Sequence, residues 1–393
     1  MALFFLASIA GLFPGLSLPF ELGWKALHPF DLLFLACLAL AALKRAFRPP
    51  DWELILAGAA LVAASGLAWL FHPSPSGIRA VSTLAYSVGV LLAVSHVRLD
   101  VIGVRLERVI LPPLLIAIGV AWTIFLFENL TGVSVGGNQS AALPKELHRL
   151  GGLTGANALI LFLGLAAPLA RSSGFALGGV LSSAFLTLSR SMMGVGVGLL
   201  LRERLLKSGP RAGHRSIEAL SWLTVILGLF AYAFAVVPVE TSQRTPFKVS
   251  LEPGGYLTLH QASLRMIAAH PVLGVGPGRF PREFRRVTTE AERVRIVEKD
   301  FPAWDPHSAI LGLTAEQGFI GLAAFAWLFH VIFQRLRRIP ELELRAGAIA
   351  GLAGLLVGGL FVDWIALKGL WLWIGLFVCS PSSAQGNLHR TSL

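Results

Sequence analysis

Three kinds of residue in this chain could do chemistry at a membrane surface: one histidine, a few arginines and a set of glycines. His307-Ser308 is followed, after nine residues, by Gly318-Phe-Ile-Gly321. Histidine titrates near neutral pH, so at the mouth of a membrane helix it can take or give a proton. Gly318 and Gly321 lie about one helical turn apart, a spacing that lets a helix bend or a neighbour come close. The alternative is an interfacial histidine above a glycine-rich packing face. Arg190, in Leu188-Ser-Arg-Ser191, falls in a tight turn between two apolar runs, where a cation is costly without a partner. Arg265 sits among apolar neighbours, and Arg149 precedes Gly151-Gly152. Guanidinium groups converging from separate segments would suit phosphate or pyrophosphate, whose oxygens the planar fork binds in pairs. Snorkelling or a rim salt bridge is the competing account, stronger for Arg149 than for Arg190.

Other chemistries lack their residues. There is no Walker loop, no paired-cysteine metal pattern, no HExxH and no G-x-S-x-G elbow. Gly274-Val-Gly-Pro-Gly278 follows no strand pattern, which argues against a nucleotide loop. Asp300 and Asp305 are the only acids placed to ligate a metal near His307, and no D-x-D pair accompanies them, so neither metal nor cofactor is expected. Cys37 and Cys379 lie in apolar stretches and read as small hydrophobes.

The elements that must position these residues are membrane helices. The 393 residues are 55% hydrophobic and 14% charged, with two cysteines. Such a composition excludes a soluble globular enzyme, a disulfide scaffold and a disordered chain. A net charge of +11 would suggest nucleic acid in a polar protein. Here the basic residues fall between apolar runs, so they set topology and nucleic acid is not an expected partner. Twelve runs approach spanning length: 2–19, 30–43, 53–71, 80–95, 109–127, 151–170, 174–189, 191–203, 217–238, 308–334, 346–364 and 367–380. The eighth and twelfth are short, so the range is ten to twelve. Met1 to Leu18 has no basic start and is followed by further apolar runs, so it reads as a membrane helix rather than a secretory signal.

With the N-terminus inside, 17 Lys and Arg fall on the inner side and 6 in the short outer loops. That asymmetry places both termini in the cytoplasm. The chain then divides into nine spans (1–239), an outer hydrophilic loop (240–306), three spans (307–380) and a cytoplasmic tail (381–393). An insertion of that length is usually functional. Within it, Tyr256 to His270 has helical spacing through Leu257, His260, Leu264 and Ile267, and Pro271 ends it. Arg282 to Asp300 alternates acids and bases as a solvated helix does.

His307-Ser308-x9-Gly318-x-x-Gly321 resembles the H-[NSQ]-x9-G-x-x-G signature of bacterial O-antigen ligases, O-antigen polymerases and protein O-oligosaccharyltransferases. The Arg190 turn, the Arg265 helix running into His270-Pro-Val-Leu-Gly-Val-Gly, Arg149-x-Gly-Gly and the segment from Asp363 to Trp373 are similar to that superfamily too. The resemblance runs from about Arg149 to Trp373; the first five spans match only in hydropathy. It implies an all-α polytopic glycosyltransferase of the GT-C type in the bacterial inner membrane, working on the periplasmic face. An enzyme of this kind moves a glycan from undecaprenyl pyrophosphate to a sugar hydroxyl of lipid A core, inverting and without metal. Carried over, His307 is the candidate base, Arg190, Arg265 and Arg149 the pyrophosphate ligands, and Ser308, Gly318 and Gly321 the motif framework.

Polymerase and protein glycosyltransferase share the motif and differ in acceptor. With 10 basic and 8 acidic residues, the loop 240–306 leans only slightly toward a phosphorylated lipid acceptor. From a different class, a transporter of an anionic lipid would show ionisable groups at mid-bilayer depth. Here only Asp363 and Glu316 fall near span interiors, and the other suspicious residues gather at the outer face.

Overall fold

The computed structural model describes residues 2–13, 21–22, 25–26, 28–102, 106–131, 150, 154, 156–170, 174–187, 189–206, 218–229, 254–297 and 306–379. Among them the regular structure is helical, apart from a two-residue antiparallel pairing of β1 (Glu21–Leu22) with β2 (Lys25–Ala26) and an isolated antiparallel bridge between Phe47 and Val97. A helix occupies each predicted span: α1 (Ala2–Leu12), α2 (Pro29–Leu43), α3 (Trp52–Phe71), α4 (Pro75–Ser95), α5 (Leu106–Thr131), α6 (Ala156–Ala170), α7 (Gly174–Leu186), α8 (Met192–Leu205), α9 (Glu218–Leu229), α13 (Ala309–Arg337), α14 (Leu342–Gly358) and α15 (Lys368–Val378). Between α9 and α13 come α10 (Gly254–Ala269), α11 (Phe280–Val287) and α12 (Glu290–Val297).

Four of these helices, α3, α4, α5 and α13, are long and apolar enough to cross a membrane by length and composition. Their outward faces keep large apolar side chains exposed, such as Leu56, Leu67, Leu70 and Phe319. An apolar exterior over an apolar core is what hydrocarbon as solvent requires, and the chain is an all-α membrane protein. Two of the shorter helices are inner ones. Every residue from Leu159 to Ala170 of α6 is buried, as is every residue from Gly369 to Val378 of α15. A helix apolar all round belongs inside a bundle.

Inside the bundle small residues set the spacing. A Cβ on Gly194 of α8 would run into the Gly354 carbonyl of α14, and one on Gly351 would run into the Leu165 carbonyl of α6. Backbones this close gain dispersion contacts where no hydrophobic force separates helix from lipid. Around α15 the packing is aromatic: Trp364, Trp371, Phe325 and Phe329 form one cluster, and Trp373 meets Phe162 edge-on at 4.9 Å.

Contacts define two ends. At the basic end, Arg48 after α2 donates to the Cys379 carbonyl at the close of α15 (2.8 Å) and Asp51 pairs with Arg335 at the foot of α13. His96 after α4 accepts from the Asp51 amide (2.8 Å), and Arg202 of α8 pairs with Glu343 of α14. At the opposite end, Lys368 opening α15 pairs with Asp31 opening α2, and the α3–α4 turn meets the segment 270–280. Arg282 to Asp300, read from sequence as one solvated helix, is two among its described residues. Thr288 is extended, and Thr289 caps α12: its hydroxyl accepts from the Glu292 amide while the Glu292 carboxylate accepts from the Thr289 amide. That reciprocal pair is a capping box, which starts a new helix.

Gly351→Leu should break the α6–α14 approach, lowering stability by about 1–3 kcal/mol or more. The check is thermal unfolding of the detergent-solubilised protein, and a wild-type midpoint would show that the two backbones are not in contact.

Candidate functional site

His307 stands where the chain enters α13, with a left-handed backbone (φ 45). A non-glycine residue there costs of order 1–3 kcal/mol and persists only where its surroundings fix it. Both flanks are fixed. Pro306 packs over Gly312, and Ser308 is the N-cap of α13, its hydroxyl accepting from the Leu311 amide (3.3 Å). One residue on, the Ala309 amide donates to the Gly359 carbonyl at the end of α14 (2.8 Å).

The same corner holds the arginine turn. Ser191, next to Arg190, is buried and its hydroxyl donates to the Gly358 carbonyl (2.9 Å). Ser189, on the other side, donates to Asn157 of α6 (3.5 Å). Consecutive carbonyls, Gly358 and Gly359, thus anchor the segments that carry Arg190 and His307. Leu150 ties the approach to α6 to the same end by donating to the Leu186 carbonyl of α7 (3.0 Å). Arg149 itself lies outside the described residues, as do Gly151, Gly152, Asp300 and Asp305.

The motif glycines serve a break in α13. Gly318 has φ 66 and interrupts the helix, and a Cβ there would run into the Val272 carbonyl. The loop after α10 fills the gap. Phe319 donates to the Pro271 carbonyl (2.8 Å) and Ile320 to that of Val272 (3.4 Å), while Val275 and Gly276 donate to the carbonyls of Ala315 and Glu316 (2.9 Å each). Gly274, also left-handed at φ 68, lies against the Gln317 backbone. The Glu316 carboxylate accepts from the amides of Gly278 (2.9 Å) and Phe280 (3.1 Å), capping α11 from another helix. An oxygen acceptor at a helix N-terminus takes up amides that the helix leaves unpaired. Gly321 makes room for the Gln317 side chain one turn before it. A small core of Leu259, Ala262, Met266, Val275, Phe280, Phe284 and Ala315 completes the join.

This clasp sets α10 beside the corner. Burial first, then the charges of Arg190 and His307, push the pKa of His260 on α10 down to about 4. Arg190, His260 and His307 therefore share one neighbourhood. Sequence spacing named His260 only as part of a helical stripe; that an imidazole, not an aliphatic side chain, occupies the buried face was the available signal.

Arg265 is not brought to that neighbourhood. Five residues beyond His260 is about 140° round the helix, and there its guanidinium donates to both Glu292 oxygens (3.0 and 2.8 Å) and to the Val287 carbonyl (2.9 Å). With 46% of its side chain exposed, it straps α12 to α10. These bonds, Arg265 first, hold the Glu292 carboxyl down to about 2.

Between α13 and α14 runs a cavity of about 350 Å³ lined by Ile310, Leu322, Phe325, Ala326, Phe329, Leu356, Val357 and Leu360, all apolar. It starts beside the corner, since Ile310 follows His307 by three residues and Leu360 follows Gly359. The arrangement therefore offers a cation, two imidazoles and an adjoining slot for a hydrocarbon chain.

Gly318→Ala should cost about 1–2 kcal/mol from the left-handed backbone alone and more from the clash. Loss of hydrogen-exchange protection at Phe319 and Val275 would report it, and unchanged protection would show that the loop is not held by the break. The strap has its own pH signature. Glu292 is charged in both folded and unfolded chains above its ordinary 4.5, so the strap's contribution is complete there and is lost as pH falls through about 2. Exchange protection of α12 amides checks this, and release near neutral pH would contradict it.

No model of a known protein family matches the chain, and no curated protein matches it.

Proposed function

We propose that the protein is a lipid-linked glycan transferase of the inner membrane, an O-antigen ligase that moves a glycan from undecaprenyl pyrophosphate to a sugar hydroxyl of lipid A core. The observation that carries this reading is the convergence of Arg190 and His307 on the Gly358–Gly359 corner, at the head of an apolar groove. In this reading about twelve helices span the bilayer in a GT-C arrangement, the loop end faces the periplasm and both termini face the cytoplasm. The resemblance of His307-Ser308-x9-Gly318-x-x-Gly321 to the ligase signature supports the choice among transferases.

The chemistry follows from the groups present. His307 takes the proton of the acceptor hydroxyl as its oxygen bonds to the anomeric carbon from the face opposite the leaving group. The bond from that carbon to the pyrophosphate oxygen breaks, and the anion departs beside Arg190, whose fixed charge favours it most as it forms. The groove along α13 and α14 takes the prenyl chain, so that the lipid's pyrophosphate sits at the membrane surface where the second lipid-borne substrate also arrives.

Purified protein in liposomes, given the lipid-linked glycan and lipid A core with excess EDTA, should transfer glycan to the core. His307→Ala should lower the rate by about 10²–10⁴ and Arg190→Ala by about 10²–10³, in each case with the protein still inserted. Full activity in His307→Ala would remove it as the base. Elongation of the donor in place of transfer to the core would identify a polymerase, and no product from folded protein would favour a transporter.

A further inference from the structure

Two loops meet at the basic end. The turn from α2 to α3 pairs with the segment after α4: the Arg48 amide donates to the His96 carbonyl (2.7 Å) and the Arg98 amide to that of Ala46 (2.6 Å). The same turn is bonded to the ends of two other helices, by Arg48 to the Cys379 carbonyl after α15 and by Asp51 to Arg335 of α13. Within it α2 ends in a Schellman motif: the Ala46 amide donates to the Ala41 carbonyl (2.8 Å) and the Arg45 amide to that of Ala42 (2.9 Å). The motif puts Arg45 in the left-handed region (φ 49), where glycine is the usual residue because a Cβ is strained there. Membrane topology asks for cations at this end but is indifferent to which position of the turn carries them. An arginine at the left-handed position therefore costs stability, and no contact of its exposed side chain among the described residues offsets that cost.

Charge at this corner is out of balance. Asp51 is taken by Arg335 and Asp100 by Arg98, while Lys44, Arg45, Arg48, Arg337 and Arg338 have no acidic partner among the described residues. Large apolar side chains stand exposed around the turn: Leu43 by 84%, Trp52 by 66% and Phe47 by 41%. In a membrane protein, exposed aliphatic groups next to aromatic rings mark the boundary between hydrocarbon and headgroups, where tryptophan concentrates. A partner that fits must bring an anion and hydrocarbon together at that level. A soluble anion brings only the first, and a zwitterionic lipid sets its own ammonium beside its phosphate. An anionic phospholipid brings both without a competing cation, and guanidinium forks bind its phosphate oxygens in pairs.

We propose that the α2–α3 turn is a binding site for an anionic phospholipid: Arg45, with Lys44 and Arg48, holds the diester phosphate, and the acyl chains lie along Leu43, Phe47 and Trp52. The site is at the opposite end of the bundle from the Gly358–Gly359 corner and is independent of the transferase reading. Because the turn is bonded to the segment after α4 and to the ends of α13 and α15, a lipid held there braces those helices against α2.

The test measures lipid preference with the intact protein in mixed vesicles of phosphatidylcholine and phosphatidylglycerol, one of the two brominated on its acyl chains so that it quenches nearby tryptophan. Wild type should be quenched more by brominated phosphatidylglycerol, and the excess should vanish in Trp52→Phe, which places it at the turn. Arg45→Gly should lower the preference about fivefold, the electrostatic contribution of one cation near an anionic surface. Lys44→Gln should lower it by a similar factor, and added salt should weaken it. A second measurement separates binding from a structural role. In uncharged micelles without phospholipid, Arg45→Gly should melt a few degrees above wild type, because glycine relieves the left-handed backbone. Equal quenching by the two lipids, an excess that survives Trp52→Phe, an unchanged preference in Arg45→Gly, or a lower melting temperature of that variant would each overturn the proposal. So would inorganic phosphate displacing phosphatidylglycerol at equal concentration, since the turn would then be a site for a soluble anion.

Discussion

A helix in hydrocarbon cannot leave amides and carbonyls unpaired, and that constraint organises the functional end of this protein. Gly318 breaks α13 in its N-terminal half. The freed groups of residues 315–320 are met by the backbone of residues 271–276, and the Glu316 carboxylate meets the amides that open α11. Break and loop are thus one structure: neither is tolerable in a membrane without the other. From this follow the left-handed glycines at 274 and 318 and the small core of α10 and α11 on Ala315.

The second organising feature is the corner at Gly358–Gly359. Two successive carbonyls take hydrogen bonds from Ser191 and Ala309, so the arginine turn and the histidine start are registered against each other by backbone geometry. Side-chain placement held this way is insensitive to the mobility of long side chains. It also explains why the site lies where α8 and α13 begin and α14 ends: Ser191 and Ser308 are the N-caps of α8 and α13, and Gly359 is the C-cap of α14.

Much of the helix layout was legible in the residues, because apolar runs, Lys and Arg clusters and helix caps act locally. Asp51, Ser74 and Ser308 each stand one residue before a helix and cap it. His307, Arg190 and the Gly318–Gly321 pair were legible as separate oddities. Their connection was not. Nothing in the run from Gly274 to Gly278 says that it pairs with a broken helix forty residues later, since both glycine sets are explained equally well by turns and packing. The pairing of Arg265 was hidden for a related reason. Charge among apolar neighbours marks a cation that needs a partner, and in the structure its guanidinium pairs with Glu292 on the next helix but one. His260 was hidden by its own periodicity, which an aliphatic residue would have satisfied as well.

The burial of α15 bears on how such a chain can be assembled. This helix is the last described and yet among the most enclosed, meeting Asp31 of α2 through Lys368, Gly11 of α1 at Gly369, Leu91 and Val94 of α4 at Gly375, and Arg48 through the Cys379 carbonyl. Helices inserted early must therefore wait, with the faces that will receive it open to lipid or to one another, until the ribosome has delivered α15. Assembly from the N-terminus is thus necessarily provisional, and the slot for α15 acts as a late checkpoint. Only a chain translated through α15 can close the bundle beneath the Gly358–Gly359 corner.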